Sequence, residues 1–174
     1  MKSIKLISFI CLCLFFFSCS TISVQHDYDT QFDYSSLEAF AWLPPAKNAK
    51  KKRPLLTKRV ETATNDELSA KGYRIDTQNP DFVIAMHSGT QDKVEVTRYG
   101  YAYPRRWGYW GGRTVSVHRY KEGTIILDII DAQSKELIWR GSATGKVNRY
   151  SSPEERDEAV AKAVAKILKK FPPY

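Results

Sequence analysis

Residues 124–147, TIILDIIDAQSKELIWRGSATGKV, decide the fold. Thr124 to Ala132 and Glu136 to Val147 are rich in β-branched and aromatic residues and flank the polar AQSK, so the segment predicts two antiparallel strands joined by a tight turn. Alternation puts Leu127 and Ile129 on one face, and Ile126, Asp128 and Ile130 on the other. Asp128 then reads as an outward or edge carboxylate paired across the hairpin with a cation such as Arg140. Asp131 reads as a turn residue, and Trp139 as a core or partly covered ring.

Further strands are expected upstream. PDFVIAMHS (80–88) alternates Phe82, Ile84 and Met86 against Val83, Ala85 and His87, the pattern of a strand buried on at least one face. Lys93 to Tyr103 and Arg113 to Tyr120 read as two more strands, with Val94 and Val96 turned to the core and Val115 and Val117 rejoining it. Nearer the start, Ile22 to Asp29 and Leu37 to Leu43 are short strands separated by TQFDYSS, and Pro44 and Pro45 stop the second. AKNAKKKRP (46–54) has no apolar periodicity and reads as a solvated basic loop.

Two helices complete the pattern. Thr57 is positioned to cap a helix to Lys71, with Leu56, Val60, Ala63 and Leu68 as its inward stripe and Gly72 as its stop. The second begins with a capping box, Ser152 as N-cap, Pro153 in the first turn and Glu155 reaching back. Its stripe is Val160, Val164, Ile167, Leu168 and Phe171. Lys162, Lys166, Lys169 and Lys170 lie mostly off that stripe, and the lysines of the last turn suit the helix dipole. Consecutive antiparallel strands with two helices define an α+β fold, a mainly antiparallel sheet with both helices packed on one face. No internal repeat is present.

The N-terminus bears on compartment. MKSIKLISFICLCLFFFSCST carries Lys2 and Lys5 before an apolar run, Leu6 to Phe17, of signal-peptide length and short for a membrane span. The segment Phe16-Phe17-Ser18-Cys19 resembles the lipobox of bacterial lipoproteins, with Phe16 standing where leucine is usual. The resemblance implies a signal peptide over residues 1–18, cleavage after Ser18, and palmitate-type acylation of Cys19, leaving residues 19–174 as a single lipid-anchored domain. Several acyl chains hold a protein on a bilayer where one holds it only marginally. Ser20 and Thr21 follow the cysteine, and similarity to the sorting rules of enteric bacteria then implies an outer-membrane, periplasm-facing location in the cell envelope.

Cysteine and charge counts agree. Of the 3 cysteines, Cys11 and Cys13 leave with the signal peptide and Cys19 carries lipid, so no thiol remains for a disulfide, a metal or a nucleophile. Without Lys2 and Lys5 the 27 basic residues become 25 against 19 acidic ones, a balance of +6. In that compartment the available anions are lipid phosphates, lipopolysaccharide and acidic polymers rather than nucleic acid.

VQHDYDTQFDYSSLEAFAWLPP (24–45) resembles the opening signature of the bacterial envelope lipoproteins grouped as domain-of-unknown-function family 4136. The resemblance continues, in order, at ELSAKGYR (67–74), NPDFVIAMH (79–87), ILDIIDAQSKELIWRGSATG (126–145) and AVAKILKKFPP (163–173). It implies an α+β envelope lipoprotein and no particular activity.

Catalysis finds little support in the sequence. His26, His87 and His118 stand on three different expected strands without metal-ligand spacing. His26 adjoins Asp27 and His118 shares a strand face with Ser116, but no nucleophile elbow, phosphate cradle or HExxH pattern accompanies them. The expectation is a protein that binds rather than catalyses, with no metal and no cofactor. A hydrolase is the weakest of the readings.

RYGYAYPRRWGYWGGR (98–113) is the candidate binding surface. Continuing the alternation of the preceding strand puts Tyr99, Tyr101 and Tyr103 on its polar side. Pro104 breaks the strand, and Arg105, Arg106, Trp107, Tyr109 and Trp110 crown a glycine-flanked hairpin tip. Such side chains suit lipid headgroups at a bilayer interface, a glycan, or an envelope protein. The alternative is a tip folded back for packing alone. An accessory lipoprotein subunit of an envelope transport or assembly system is the second functional expectation.

Overall fold

The computed structural model describes residues 22–44, 54–99, 114–147 and 151–173. Its elements are β1 (Ser23–Tyr28), β2 (Ala39–Trp42), α1 (Pro54–Ala70), β3 (Arg74–Ile75), β4 (Phe82–Tyr99), β5 (Thr114–Asp131), β6 (Leu137–Val147) and α2 (Pro153–Leu168). The six strands form one sheet in the order β1-β6-β5-β4-β2-β3. Four are joined antiparallel, whereas β2 runs parallel to both β3 and β4. The sheet is therefore mixed, within the expected α+β class. The parallel part follows from α1, because parallel neighbours need a crossover connection.

Both helices have legible ends. α2 opens with the expected capping box: Ser152 Oγ accepts from Glu155 N, and Glu155 Oε2 accepts from Ser152 N at 2.8 Å. α1 starts at Pro54, one turn before the expected cap at Thr57, consistent with the preference of proline for a first helical turn. It closes at Gly72, whose φ of +94° few side chains tolerate. There Tyr73 N donates back to Leu68 O at 3.0 Å.

The core lies between the helices and one sheet face. Phe40, Phe82, Ile84, Leu127, Ile129 and Trp139 come from the sheet; Val60 and Leu68 from α1; Val164, Ile167 and Leu168 from α2. Phe171, just beyond α2, sits among four rings, Trp139 at 5.4 Å, Tyr73 at 5.6 Å, Phe82 at 5.7 Å and Tyr34 at 6.2 Å between centroids. Truncating such a ring typically costs about 3–5 kcal/mol. A bulge in β6 pairs Ile129 with Trp139 and Ile130 with Leu137, so Ile138 is left over and joins Trp139 in the interior. Its carbonyl accepts from the buried Tyr34 hydroxyl and from Asp29 N, which ties the β1–β2 connection to the sheet.

One expectation is corrected. The four strands expected over 80–132 are two, each of 18 residues. TQDK (90–93) and KEG (121–123) look like turns, yet they pair with one another, Gln91 with Glu122 and Asp92 with Lys121. Ion pairs Lys93–Glu122 at 3.8 Å and Lys121–Asp92 at 3.6 Å span the strands. The polar composition reflects a sheet running into solvent, where cross-strand charge pairing substitutes for burial. Among the described residues no helix is long and apolar enough to cross a membrane.

Candidate functional site

The first of three candidate features is the β4–β5 ribbon. Among the described residues the β5–β6 pairing extends to Lys121–Val147, and β2 accompanies β4 only from Phe82 to Ile84. Beyond those points β4 and β5 continue as a two-stranded ribbon to Tyr99 opposite Thr114. Seven further rungs at about 3.3 Å each carry its end roughly 20 Å past the main sheet. Lys146 lies 4.4 Å from the centroid of the Tyr120 ring and anchors the ribbon's base. Val94 is 58% exposed, which corrects the expectation that it faces the core. The described core does not reach that far along the ribbon. Of the candidate binding residues, Tyr99 occupies the last described rung. Tyr101, Tyr103, Arg105, Arg106, Trp107, Tyr109 and Trp110 lie outside the described residues, as does Cys19.

The second feature is polar and lies on the sheet face away from the helices. Asp128 is expected to pair with Arg140, and it does: Arg140 Nε and Nη2 each donate to one carboxylate oxygen at 2.6 Å. The expected edge position is wrong, because β5 is an interior strand and Asp128 is only 4% exposed. Its neighbours across the sheet, Ala85 and Arg140, cover it. His87 Nε2 lies 3.3 Å from Oδ2. The Arg140 guanidinium is held above its ordinary pKa, first by its hydrogen bond to Asp128 and then by the attraction of the carboxylate. His26 is on the helix-bearing face, stacked on Tyr28 at 6.3 Å. Successive residues of a strand point to opposite faces, so His26 and Asp27 are not brought together. Only the backbone of His118 is described, and it stands opposite Glu95. Among the described residues no hydroxyl is hydrogen-bonded to His26 or His87, so a Ser-His-Asp assembly is not formed there.

The third feature is a cleft of about 760 Å³ between the first turns of both helices and the sheet, absent from the expectations. Its floor is a row of small residues on three adjacent strands: Thr90 on β4 opposite Gly123 on β5, and Gly123 opposite Gly145 on β6. Ile125 and Ala143 extend the floor inward, and Leu56, Val160 and Ala163 form the roof. Arg59, Arg156 and Glu155 stand on its rim, whereas Lys146 contributes its backbone and turns its side chain to the other face, over Tyr120. The glycines are visible in the sequence, but only the pairing register aligns Gly123 with Gly145.

An α+β domain with two helices on one face of a mixed sheet is the class this architecture defines. The chain belongs to the DUF4136 family, a domain of unknown function, whose family model matches residues 24–173. A PDZ domain protein from Parabacteroides distasonis ATCC 8503 shares the fold at a TM-score of 0.59 and 14% identity, covering 88% of this chain. This chain spans only 36% of that protein's length. The PelC dodecamer from Paraburkholderia phytofirmans is similar at a TM-score of 0.47 and 14% identity, covering 85% of this chain and 95% of that one. A minor lipoprotein from Acinetobacter baumannii has a TM-score of 0.38 and 14% identity, covering 78% and 89%. No curated protein matches the chain.

Proposed function

We propose that this chain is a lipid-anchored, periplasm-facing domain of the outer membrane that acts by binding, using the end of the β4–β5 ribbon as its contact surface. The supporting observation is the ribbon itself. Two central strands continue for seven rungs, Lys93–Tyr99 against Thr114–Tyr120, with no flanking strand among the described residues. A two-stranded ribbon is marginal alone, and its base is held by the sheet. The sequence borne at its end, 98–113, is the one richest in Tyr, Trp and Arg, the residue types that anchor contacts to headgroups, glycans and proteins. The lipobox-like FFSC at 16–19 supports the anchor.

Projection of the ribbon from a fixed sheet also favours the accessory-subunit reading, because an arm of this kind suits capture by a larger envelope assembly. Two measurements test the proposal. Cys19→Ala is expected to abolish incorporation of labelled fatty acid and partitioning with membranes; label retained on the variant refutes the anchor. Affinity capture with the intact chain and with a ribbon-shortened form is expected to lose a specific envelope partner, or binding to glycan or lipid vesicles, in the shortened form only. Equal capture by both forms refutes the ribbon as the contact surface.

A further inference from the structure

We propose that the cleft between the helices and the sheet binds a single long alkyl chain ending in an anionic group, a fatty-acid-like amphiphile. The cleft's volume of about 760 Å³ falls within the usual range of small-molecule sites. The floor is low because the row Thr90, Gly123, Gly145 lacks bulky side chains, while Ile22, Leu56, Ile125 and Val160 make the walls apolar. A Cβ added at Gly145 would stand 3.6 Å from Ile22 Cγ1, an ordinary contact, so the glycine leaves space that a side chain would fill. Leu55, 67% exposed at the lip, extends the apolar path outward.

Rim charge selects the head group. On the rim, Arg59 and Arg156 stand with the carboxylate Glu155, which is already engaged by Ser152 N in the capping box. Arg59 is paired with Asp157. The Arg156 side chain hydrogen-bonds Ser151 Oγ at 3.3 Å and meets no carboxylate among the described residues. A guanidinium at the mouth of an apolar cleft is matched by a carboxylate or phosphate at the end of an alkyl chain. A neutral chain leaves that charge unanswered, and a cationic one is repelled.

The test uses the chain carrying Cys19→Ala, which lacks the acylation point, titrated with the fluorescent fatty acid cis-parinaric acid. The expected result is saturation at one ligand per chain, displaced by palmitate and not by cetyltrimethylammonium. Gly145→Leu and Ala159→Phe fill the cleft from floor and helix, and each is expected to weaken binding at least tenfold. Ala159 is exposed, so its variant carries the test should Gly145→Leu fail to fold. Arg156→Glu is expected to weaken binding several-fold with thermal stability unchanged. Displacement by the cationic amphiphile overturns the head-group assignment, and undiminished binding in a folded filled variant overturns the site. Binding by the Cys19→Ala chain with none by the acylated chain overturns the free-ligand reading, since the protein's own acyl chain then occupies the cleft.

Discussion

Arg140 grips Asp128 through two parallel hydrogen bonds of 2.6 Å, Nε to Oδ1 and Nη2 to Oδ2, across the β5–β6 hairpin. The carboxylate side chain is 6% exposed and the guanidinium side chain 52%, so a buried anion is served by a cation that still reaches water. Removing the cation leaves a buried charge among Ala85, Ile126 and Ile130, with the exposed His87 ring, 3.3 Å from Oδ2, as its remaining polar neighbour. Arg140→Met is therefore expected to destabilise the fold by about 2 kcal/mol, below the 3–5 kcal/mol of fully buried pairs because solvent reaches this one. The double variant Asp128→Leu, Arg140→Met removes both charges and is expected to recover most of the loss. Urea unfolding of the four proteins of the cycle checks this. A double variant no more stable than Arg140→Met shows that the pair contributes beyond neutralisation.

Gly141 faces the helices. A Cβ there would come within 2.2 Å of Trp139 Cη2 and 2.6 Å of Ile167 Cγ2, both on fully buried side chains. Neither can move aside without disturbing the core. Gly141→Ala is expected to cost about 1–3 kcal/mol, the usual range for overpacking, and to lower the melting temperature by roughly 2–4 °C for each kcal/mol. Gly89→Ala is the control: a Cβ there meets nothing within 4 Å, so its melting temperature should hold. Equal behaviour of the two variants overturns the packing argument.

Local signals in the sequence translated directly into structure. Ser152, Pro153 and Glu155 specify the start of α2 within one turn, and Gly72 specifies the end of α1, because caps are satisfied by residues nearby in the chain. The Asp128–Arg140 pair was legible for the same reason, both residues belonging to one hairpin. Long-range pairing was not. Gly89, Gly123 and their polar neighbours resemble turns until the strands are aligned, and four expected strands then become the two long strands of one hairpin. β3, only two residues long, has no periodicity to read. The cleft depends on Gly123 meeting Gly145 beneath two helices, a juxtaposition that spacing along the chain does not encode.

The turn after β3 is organised by one carboxylate. Asp76 Oδ1 accepts from Asn79 N at 3.0 Å and Gln78 N at 2.9 Å, and Oδ2 accepts from Arg74 Nη1 at 2.7 Å. These bonds favour the ionised form and lower its pKa from 3.8 to about 2, the Asn79 backbone bond contributing most, then the Arg74 side chain and the Gln78 backbone bond. A folded value below the unfolded one means that the stabilisation is present above about pH 4 and disappears as pH falls towards 2. The Asp76 carboxyl followed by NMR is expected to titrate near pH 2, and Arg74→Gln to raise that midpoint partway. An ordinary midpoint near 4 shows that the turn is not held by this carboxylate.

The ribbon prediction separates recognition from packing. Replacing Arg105 to Gly112 by an Asn-Gly turn shortens the hairpin while retaining a closure that two antiparallel strands accept. The register from Phe82–Asp131 to Tyr99–Thr114 is set by the strands themselves and by the sheet at their base, so it should survive. If the removed rings were buried, the loss of even one would cost about 3 kcal/mol or more and lower the melting temperature visibly. Projection of the ribbon past the main sheet leads to the opposite expectation: a nearly unchanged melting temperature, with binding to vesicles, glycan or an envelope protein reduced at least tenfold. A large fall in melting temperature with binding intact assigns Trp107, Tyr109 and Trp110 to packing and removes the ribbon from the functional surface.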